Sequence, residues 1–376
     1  MTKVMIGLSG GVDSAVACYL LKKQGYEVVA GFMRNWDAMA NNDYLGNPTI
    51  NDDMCPQEKD YEDAKLVAEK LGVPLYRVDF IKEYWDEVFT YFLREYEAGR
   101  TPNPDIFCNK YIKFDAFLKF AKSMGCDYIA TGHYAKRLDK DGKTYLLKSF
   151  DTNKDQTYFL SQLTQEQISS CLFPLGDIDK KEVRRIAKEL GLAVASKKDS
   201  TGICFIGERN FRNFLKNYIP AKKGKIVDIN TNRVLGEHDG VLYYTIGQRK
   251  GLGIGGISGE VAKSWYVTKK DVKNNILYVA NDDLDIHLMS DKAIIKMVTF
   301  NCDIPNTDCV VGCKFRYRQK DHPVTLHIID SETVELTYEP YKAVTAGQGA
   351  VFYIDDICIG GGIIDQVFYQ NKRIDI

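Results

Sequence analysis

Between Lys3 and Thr131, short β-branched runs alternate with amphipathic stretches, and most of the latter stop at a glycine. Lys3–Leu8 reads as a strand, Ser14–Lys23 as a helix closed by Gly25, and Glu27–Met33 as the next strand. Helix Tyr61–Leu71 stops at Gly72, strand Leu75–Asp79 follows, and Tyr84–Glu97 and Ile112–Met124 are helical up to Gly99 and Gly125. Asp127–Thr131 is one more short strand. Such alternation requires crossover connections and a parallel sheet covered on both faces, which makes this half an α/β domain. In sheets of that kind, ligands bind beyond the carboxyl ends of the strands.

The pattern changes along the chain. Asp179–Leu190 is a strongly charged helix ending at Gly191, and beyond about Phe211 helical periodicity fades. Lys225–Ile229, Leu242–Thr245, Ser264–Thr268 and Ile276–Ala280 read as short strands, as do Val324–Ile329 and Val334–Thr337 after Lys292. A chain of 376 residues, at about 150 per domain, divides into an α/β domain over 1–210, a small β-rich domain over 211–280 and a C-terminal β-barrel over 281–376.

A hydrophobic fraction of 45% and a charged fraction of 27% are those of a globular protein. No apolar run reaches the ~18–20 residues of a membrane helix, and the N-terminal stretch lacks a signal-peptide pattern, so a cytoplasmic protein without a membrane partner is expected. Ten cysteines with no Cys-x-x-Cys pair predict reduced thiols and disfavour a zinc ribbon or a cluster. Net charge is −1, but residues 179–225 hold 13 basic and 5 acidic side chains, +8, which leaves −9 elsewhere.

Ser9-Gly10-Gly11-Val12-Asp13-Ser14 joins the first strand to the first helix. Two glycines allow consecutive N–H groups to face one anion, and the helix start adds its positive dipole end. It is neither a Walker loop nor Gly-x-Gly-x-x-Gly. The hexapeptide resembles the PP-loop of the ATP pyrophosphatases. That resemblance implies ATP as co-substrate, cleavage between the α and β phosphates, adenylation of a carbonyl oxygen, and Asp13 beside the pyrophosphate and its Mg2+. The magnesium would arrive with the polyphosphate, and no metal site built by the protein alone is expected.

Two cysteines stand in unusual settings. Thr101-Pro102-Asn103-Pro104-Asp105-Ile106-Phe107-Cys108-Asn109-Lys110 sets Cys108 at a rigid helix entry beside Lys110, so a lowered thiol pKa is expected. Cys204 lies in Asp199-Ser200-Thr201-Gly202-Ile203-Cys204-Phe205-Ile206-Gly207-Glu208-Arg209, with Lys197 and Lys198 nearby. Cys18 and Cys126 read as packing residues.

Together with Phe32–Asp37, Ala130-Thr131-Gly132-His133-Tyr134, Lys154–Leu160 and Thr245–Gly253, these segments resemble, in order, the bacterial tRNA-specific 2-thiouridylases over nearly the whole chain. Ala15, Phe107 and Ala38 are mild departures from that family's pattern. The resemblance implies ATP-dependent replacement of the C2 oxygen of the tRNA wobble uridine by sulfur. Gly7, Leu8, Ser9, Gly10, Gly11, Val12, Asp13, Ser14, Met33 and Gly132 would hold ATP. Asn103, Pro104 and Asp105 would meet the target base, with Asp105 orienting it or assisting proton transfer. Cys204 would carry the sulfur as a persulfide, and Cys108 would release it by forming a disulfide with Cys204. His133, Lys154, Asp155, Gln156, Arg316, Tyr317 and Gln348 would touch tRNA. Implied partners are the glutamate, glutamine and lysine tRNAs and a persulfide donor, either a cysteine desulfurase or a sulfur relay protein.

Read as a strand, Cys313–Arg318 would turn Lys314, Arg316 and Arg318 to one face, a basic stripe suited to a phosphate backbone. A PP-loop enzyme forming amides or lysidine would share the Ser9–Ser14 loop without needing both cysteines. An RNA-binding module without catalysis would explain the basic stripe but not the loop.

Overall fold

The computed structural model describes residues 1–52, 54–199, 202–204, 206, 207, 209–254, 264–303 and 308–374. Ser200, Thr201, Phe205 and Glu208 of the Cys204 turn lie outside them, as do Gly255 and Gly256.

β1 (Lys3–Gly7), α1 (Val12–Lys23), β2 (Glu27–Arg34), α2 (Pro56–Leu71) and β3 (Leu75–Asp79) open the chain in the expected alternation. α2 starts one turn earlier than its periodicity shows, because Pro56 occupies the first turn, where a missing N–H costs nothing. Two longer helical segments follow. One runs through α3 (Ile81–Tyr84), a π-wound Trp85–Phe89 and α4 (Thr90–Glu97). The other runs through α5 (Pro104–Phe107), a π-wound Cys108–Ala116 and α6 (Phe117–Ser123). Then come β4 (Tyr128–Ala130), the hairpin β5 (Lys136–Lys140) and β6 (Lys143–Leu147), α7 (Thr157–Leu160), α8 (Gln165–Ser169), β7 (Cys171–Leu172) and α9 (Lys180–Glu189).

The parallel sheet has the order β3-β2-β1-β4-β7. Val4, Met5 and Ile6 of central β1 have no exposed surface. Val4 and Ile6 pack with Ala15, Val16, Val67, Val183 and Ala187, whereas Met5 packs with Ile112, Phe114 and Phe117. A strand buried on both faces therefore reads as a continuous apolar run while its side chains still alternate in direction.

Helical structure continues past 210: α10 (Phe211–Lys216) is capped by Asn210, whose side chain accepts from Asn213 N. The small sheet that follows contains β8 (Gly224–Asp228), β9 (Val234–His238), β10 (Tyr266–Asp271) and β11 (Ile276–Ala280) in the order β10-β11-β8-β9. The expected strand Leu242–Thr245 is instead a 3-10 turn over Val241–Tyr243, where buried Tyr243 donates its hydroxyl to Ile219 O at 2.7 Å. β12 (Met289–Phe300), β13 (Cys309–Lys314), β14 (His322–Ile328), β15 (Val334–Lys342), β16 (Gly349–Ile354) and β17 (Ile357–Tyr369) form a six-stranded antiparallel barrel. β12 pairs with both β15 and β17 and so closes it. The β5–β6 hairpin, absent from the sequence reading, joins this sheet through β6 and β17. Among the described residues, no helix is long and apolar enough to cross a membrane.

Candidate active site

The loop between β1 and α1 turns at Gly10, whose φ of +72° favours glycine and where a Cβ would lie 2.2 Å from Asp60 O. Ser14 closes the loop on itself, its hydroxyl accepting from Ser9 N and donating to Gly11 O, both at 3.1 Å. Gly132, just beyond β4, abuts this helix start, since a Cβ there would lie 2.8 Å from Ser14 N. Met33 lies in the last two residues of β2, and its methyl lies 3.2 Å from the Cβ position of Gly7. The loop residues Gly7–Ser14, Met33 and Gly132 thus gather at the carboxyl end of the sheet, with Gly11 capping α1.

Side chains from distant segments complete this end. Asp13 accepts from the Tyr134 hydroxyl at 2.9 Å and from Lys180 Nζ at 2.7 and 2.8 Å. Lys180 also pairs with Asp199 at 2.7 Å, which Lys154 and Arg184 hold at the same distance. Burial opposes charge on Asp199, but Lys154 and Lys180 outweigh it and keep its carboxyl well below the usual range. Lys197 ties the loop to α2, donating to Gly10 O at 2.9 Å and pairing with Asp60 and Asp63. Part of the +8 segment is therefore paired within the protein, with Lys180, Arg184, Lys197 and Arg209 all engaged by carboxylates.

The two singled-out cysteines meet. Their sulfurs lie 3.5 Å apart across 96 residues of sequence, Cys108 buried and Cys204 partly accessible. Asn103 caps α5 by accepting from Asp105 N at 3.1 Å, with Pro104 in the first turn. Asp105 then accepts from Cys204 N at 3.4 Å, and Tyr84 donates to Cys204 O at 2.9 Å. Beyond the turn, Arg209 pairs with buried Asp43 at 2.8 Å, which also accepts from Trp36 Nε1 at 3.1 Å.

The expected lowering of the Cys108 pKa is corrected. Burial pushes that thiol well up, and Lys110 turns away to Gln162 and Thr299. Cys204 is the lowered one: the Cys108 S–H donates to it and, against burial, Lys113 adds a nearby positive charge and a hydrogen bond. Lys113 was not singled out from the sequence. It reaches the pair because Cys108–Ala116 is π-wound, and an i→i+5 winding brings a residue five positions on back to the same side. Burial and Lys113 together hold His133 neutral, far below the usual imidazole range. His133 Nδ1 lies 2.9 Å from the Thr131 hydroxyl. Asp105, half-buried near the sulfurs, has its carboxyl raised by desolvation.

The other residues implied in RNA contact make intramolecular bonds. Asp155 is buried and accepts from Ser149 N at 3.1 Å and the Thr157 hydroxyl at 2.8 Å. Gln156 accepts from Tyr134 N at 3.0 Å. Gln348 donates to Thr101 O at 2.7 Å, fixing the barrel against the segment that carries Cys108. Tyr317 packs on Phe159, ring centres 4.4 Å apart. The expected basic stripe does not form. β13 ends at Lys314, which turns inward toward Asp155 and Asp321, while Arg316 Nη2 donates to Ile246 O, Ala343 O and the Thr345 hydroxyl.

Comparison with known proteins agrees along the chain. Residues 2–208 match the tRNA methyl transferase HUP domain, 212–281 the tRNA methyl transferase PRC-barrel domain, and 290–364 the aminomethyltransferase beta-barrel domain. The tRNA-specific 2-thiouridylase MnmA of Mycoplasma capricolum is 58% identical over 97% of this chain and 99% of its own. That of Mycoplasma mycoides is 57% identical over the same shares, and MnmA 1 of Geobacillus kaustophilus 54% over 98% and 97%. Identity above one half across whole chains, with three domain models matched in order, means that this chain belongs to the tRNA-specific 2-thiouridylase family of PP-loop tRNA sulfurtransferases.

Proposed function

We propose that the protein performs ATP-dependent 2-thiolation of the wobble uridine of tRNA, with Cys204 as sulfur carrier and Cys108 as the thiol that releases the sulfur. The observation that carries this reading is the 3.5 Å approach of the two sulfurs, with Lys113 beside Cys204. The lowered pKa of Cys204 favours the thiolate, the form that attacks the outer sulfur of a donor's persulfide and takes it over. The donor is a cysteine desulfurase or a sulfur relay protein.

The uridine must leave the anticodon stack to be reached. Asn103, Pro104 and Asp105 would receive the base, and the raised Asp105 carboxyl suits it to hold or pass a proton there. The C2 oxygen attacks the α-phosphate of ATP, pyrophosphate leaves, and the bond from oxygen to AMP makes C2 electrophilic. The Cys108 sulfur attacks the inner sulfur of the ionised Cys204 persulfide while its proton passes to the outer sulfur. The Cys108–Cys204 disulfide forms and hydrosulfide departs to C2, from which AMP leaves. Each turnover thus oxidises two thiols, and an external dithiol must reduce them.

Gly7–Ser14, Met33 and Gly132 would surround ATP, with loop N–H groups and the α1 start facing the phosphates. Among the described residues no cluster of three or more potential metal ligands exists. Asp13 would be the protein's carboxylate toward Mg2+, a donor that fits an ion carried mainly by phosphates; the ion would neutralise the leaving pyrophosphate. His133, Lys154, Asp155, Gln156, Arg316, Tyr317 and Gln348 would lie along the RNA path, with residues 1–210 catalytic and 281–376 contributing the barrel side. The substrates would be the glutamate, glutamine and lysine tRNAs of the cytoplasm.

The test is nucleoside analysis of tRNA after reaction with ATP and a protein persulfide, with AMP and pyrophosphate measured in parallel. 2-Thiouridine with one AMP and one pyrophosphate per turnover is expected. Release of ADP and phosphate, or full thiolation by Cys204→Ala from a protein persulfide, would overturn the assignment.

A further inference from the structure

The loop Gly7–Ser14 contains no lysine or arginine, although a leaving pyrophosphate carries more charge than the AMP it departs from. Walker loops solve the same problem with a lysine inside the loop that reaches the β and γ phosphates. Here, among the described residues, the ammonium bonded to the loop's carboxylate arrives from far along the chain. Lys180 Nζ spans both oxygens of Asp13, at 2.7 and 2.8 Å, across 167 positions. Lys197 also reaches the loop, but it is bound to Gly10 O and to two α2 carboxylates rather than to Asp13.

We infer that Lys180 is a substrate-binding residue of the nucleotide site and takes the β- and γ-phosphate oxygens of ATP. This rests on the reading of Gly7–Ser14 as an ATP loop. Three features support it. Lys180 opens α9, which packs against α1, so its backbone position is fixed relative to the loop. Its side chain is only 14% exposed, so little of its conformational freedom remains to be lost on binding. Its two carboxylate partners do not depend on it alone. Asp199 keeps Lys154 and Arg184, and Asp13 keeps the Tyr134 hydroxyl and would face the cation that accompanies ATP. Arrival of the triphosphate therefore exchanges one ionic partner of Lys180 for another and strands no buried charge. In the free protein the same pairing holds Asp13 and Lys180 side by side, ready to separate around the phosphates.

The experiment measures binding of ATP, pyrophosphate and AMP to the full-length protein by calorimetry, for the wild type, Lys180→Met and Lys180→Arg. Transfer of persulfide to Cys204 is followed as an ATP-independent readout. Lys180→Met should weaken ATP and pyrophosphate by roughly 10- to 100-fold, the loss of one hydrogen bond to a charged group, and leave AMP binding and persulfide loading unchanged. Lys180→Arg should restore most of the pyrophosphate affinity. Unchanged ATP and pyrophosphate binding in Lys180→Met would overturn the inference. So would an equal loss of AMP binding and persulfide loading, because that marks a structural role. A wild-type protein that binds none of the three would instead overturn the reading of the loop beneath it.

Discussion

The nucleotide loop and the thiol pair are reached from the same sheet, yet they are built in opposite ways. The loop is eight consecutive residues rich in backbone N–H donors, and its carboxylate Asp13 and the neighbouring Asp199 are each about one third exposed. Its charges are balanced pair by pair, in a setting where water and phosphate can replace a partner at little cost. The thiol pair has no contiguous motif. It draws Cys108, Lys113, Asp105 and Cys204 from separated positions and removes Cys108 from solvent. There burial keeps Cys108 protonated, and its S–H donation, seconded by one ammonium, favours charge on Cys204. Substitutions at the thiol pair should therefore act through side-chain chemistry, and those at the loop through space.

The largest effect belongs to Cys204. Cys204→Ala should lower 2-thiouridine formation from a protein persulfide by several orders of magnitude, as removing a nucleophile does, while AMP-forming attack on ATP persists. Measurable single-turnover transfer at the wild-type rate would break the division between the two regions. Cys108 comes next. Cys108→Ser keeps a donor toward Cys204 but cannot form the disulfide, so mass spectrometry should find persulfide accumulating on Cys204. Cys108→Ala loses the donor as well, and should also shift the pH profile of Cys204 alkylation upward. Identical profiles for the two variants would show that the S–H donation does not set the thiolate.

Lys113→Met tests the electrostatic half of the same claim. Cys204 sits below its ordinary pKa through the Cys108 hydrogen bond and then Lys113. A lowered thiol pKa means more thiolate at a given pH, so alkylation of the wild type should reach its plateau at lower pH than in the variant. Removing Lys113 should move the inflection upward and slow alkylation at neutral pH by roughly tenfold, about one pKa unit. Lys113→Arg should hold the inflection down. A profile that does not move in Lys113→Met assigns the ammonium to packing.

What could be read in the sequence follows the same contrast. The Ser9–Ser14 loop, β1, β3 and β11 are local patterns, and β3 and β11 were expected with the bounds observed. The thiol pair needed tertiary information. A helix-entry argument lowers the Cys108 pKa, but burial reverses it, and burial is not a property of ten flanking residues. Lys110, the nearest cation in sequence, faces Gln162 and Thr299, and π winding, which no residue pattern announces, selects Lys113 instead. The β5–β6 hairpin escaped notice because Lys136–Lys140 is polar and largely exposed and pairs with β6, which in turn is held by β17. Period-2 reasoning carried too far gave the basic stripe: the alternation at Cys313–Lys314 is real, but the strand ends there and Arg316 turns inward, leaving Arg318 exposed.

The smallest predicted effect tests the loop through space alone. Gly132 has no side-chain chemistry to lose, but a Cβ added there would lie 2.8 Å from Ser14 N and 3.0 Å from Asp13 C, both backbone atoms that cannot rotate away. Relief requires β4 and the start of α1 to separate by a few tenths of an ångström. Overpacking of this kind costs about 1–3 kcal/mol. Gly132→Ala should therefore lower the melting temperature by several degrees and weaken ATP binding several-fold, because the N–H groups facing the phosphates move with α1. Cys204 alkylation and persulfide loading should be unchanged, since the thiol pair rests on α5 and its π-wound continuation rather than on α1. If alkylation of Cys204 slows in step with ATP binding, the two regions are mechanically coupled through β4 and His133, and their separation fails.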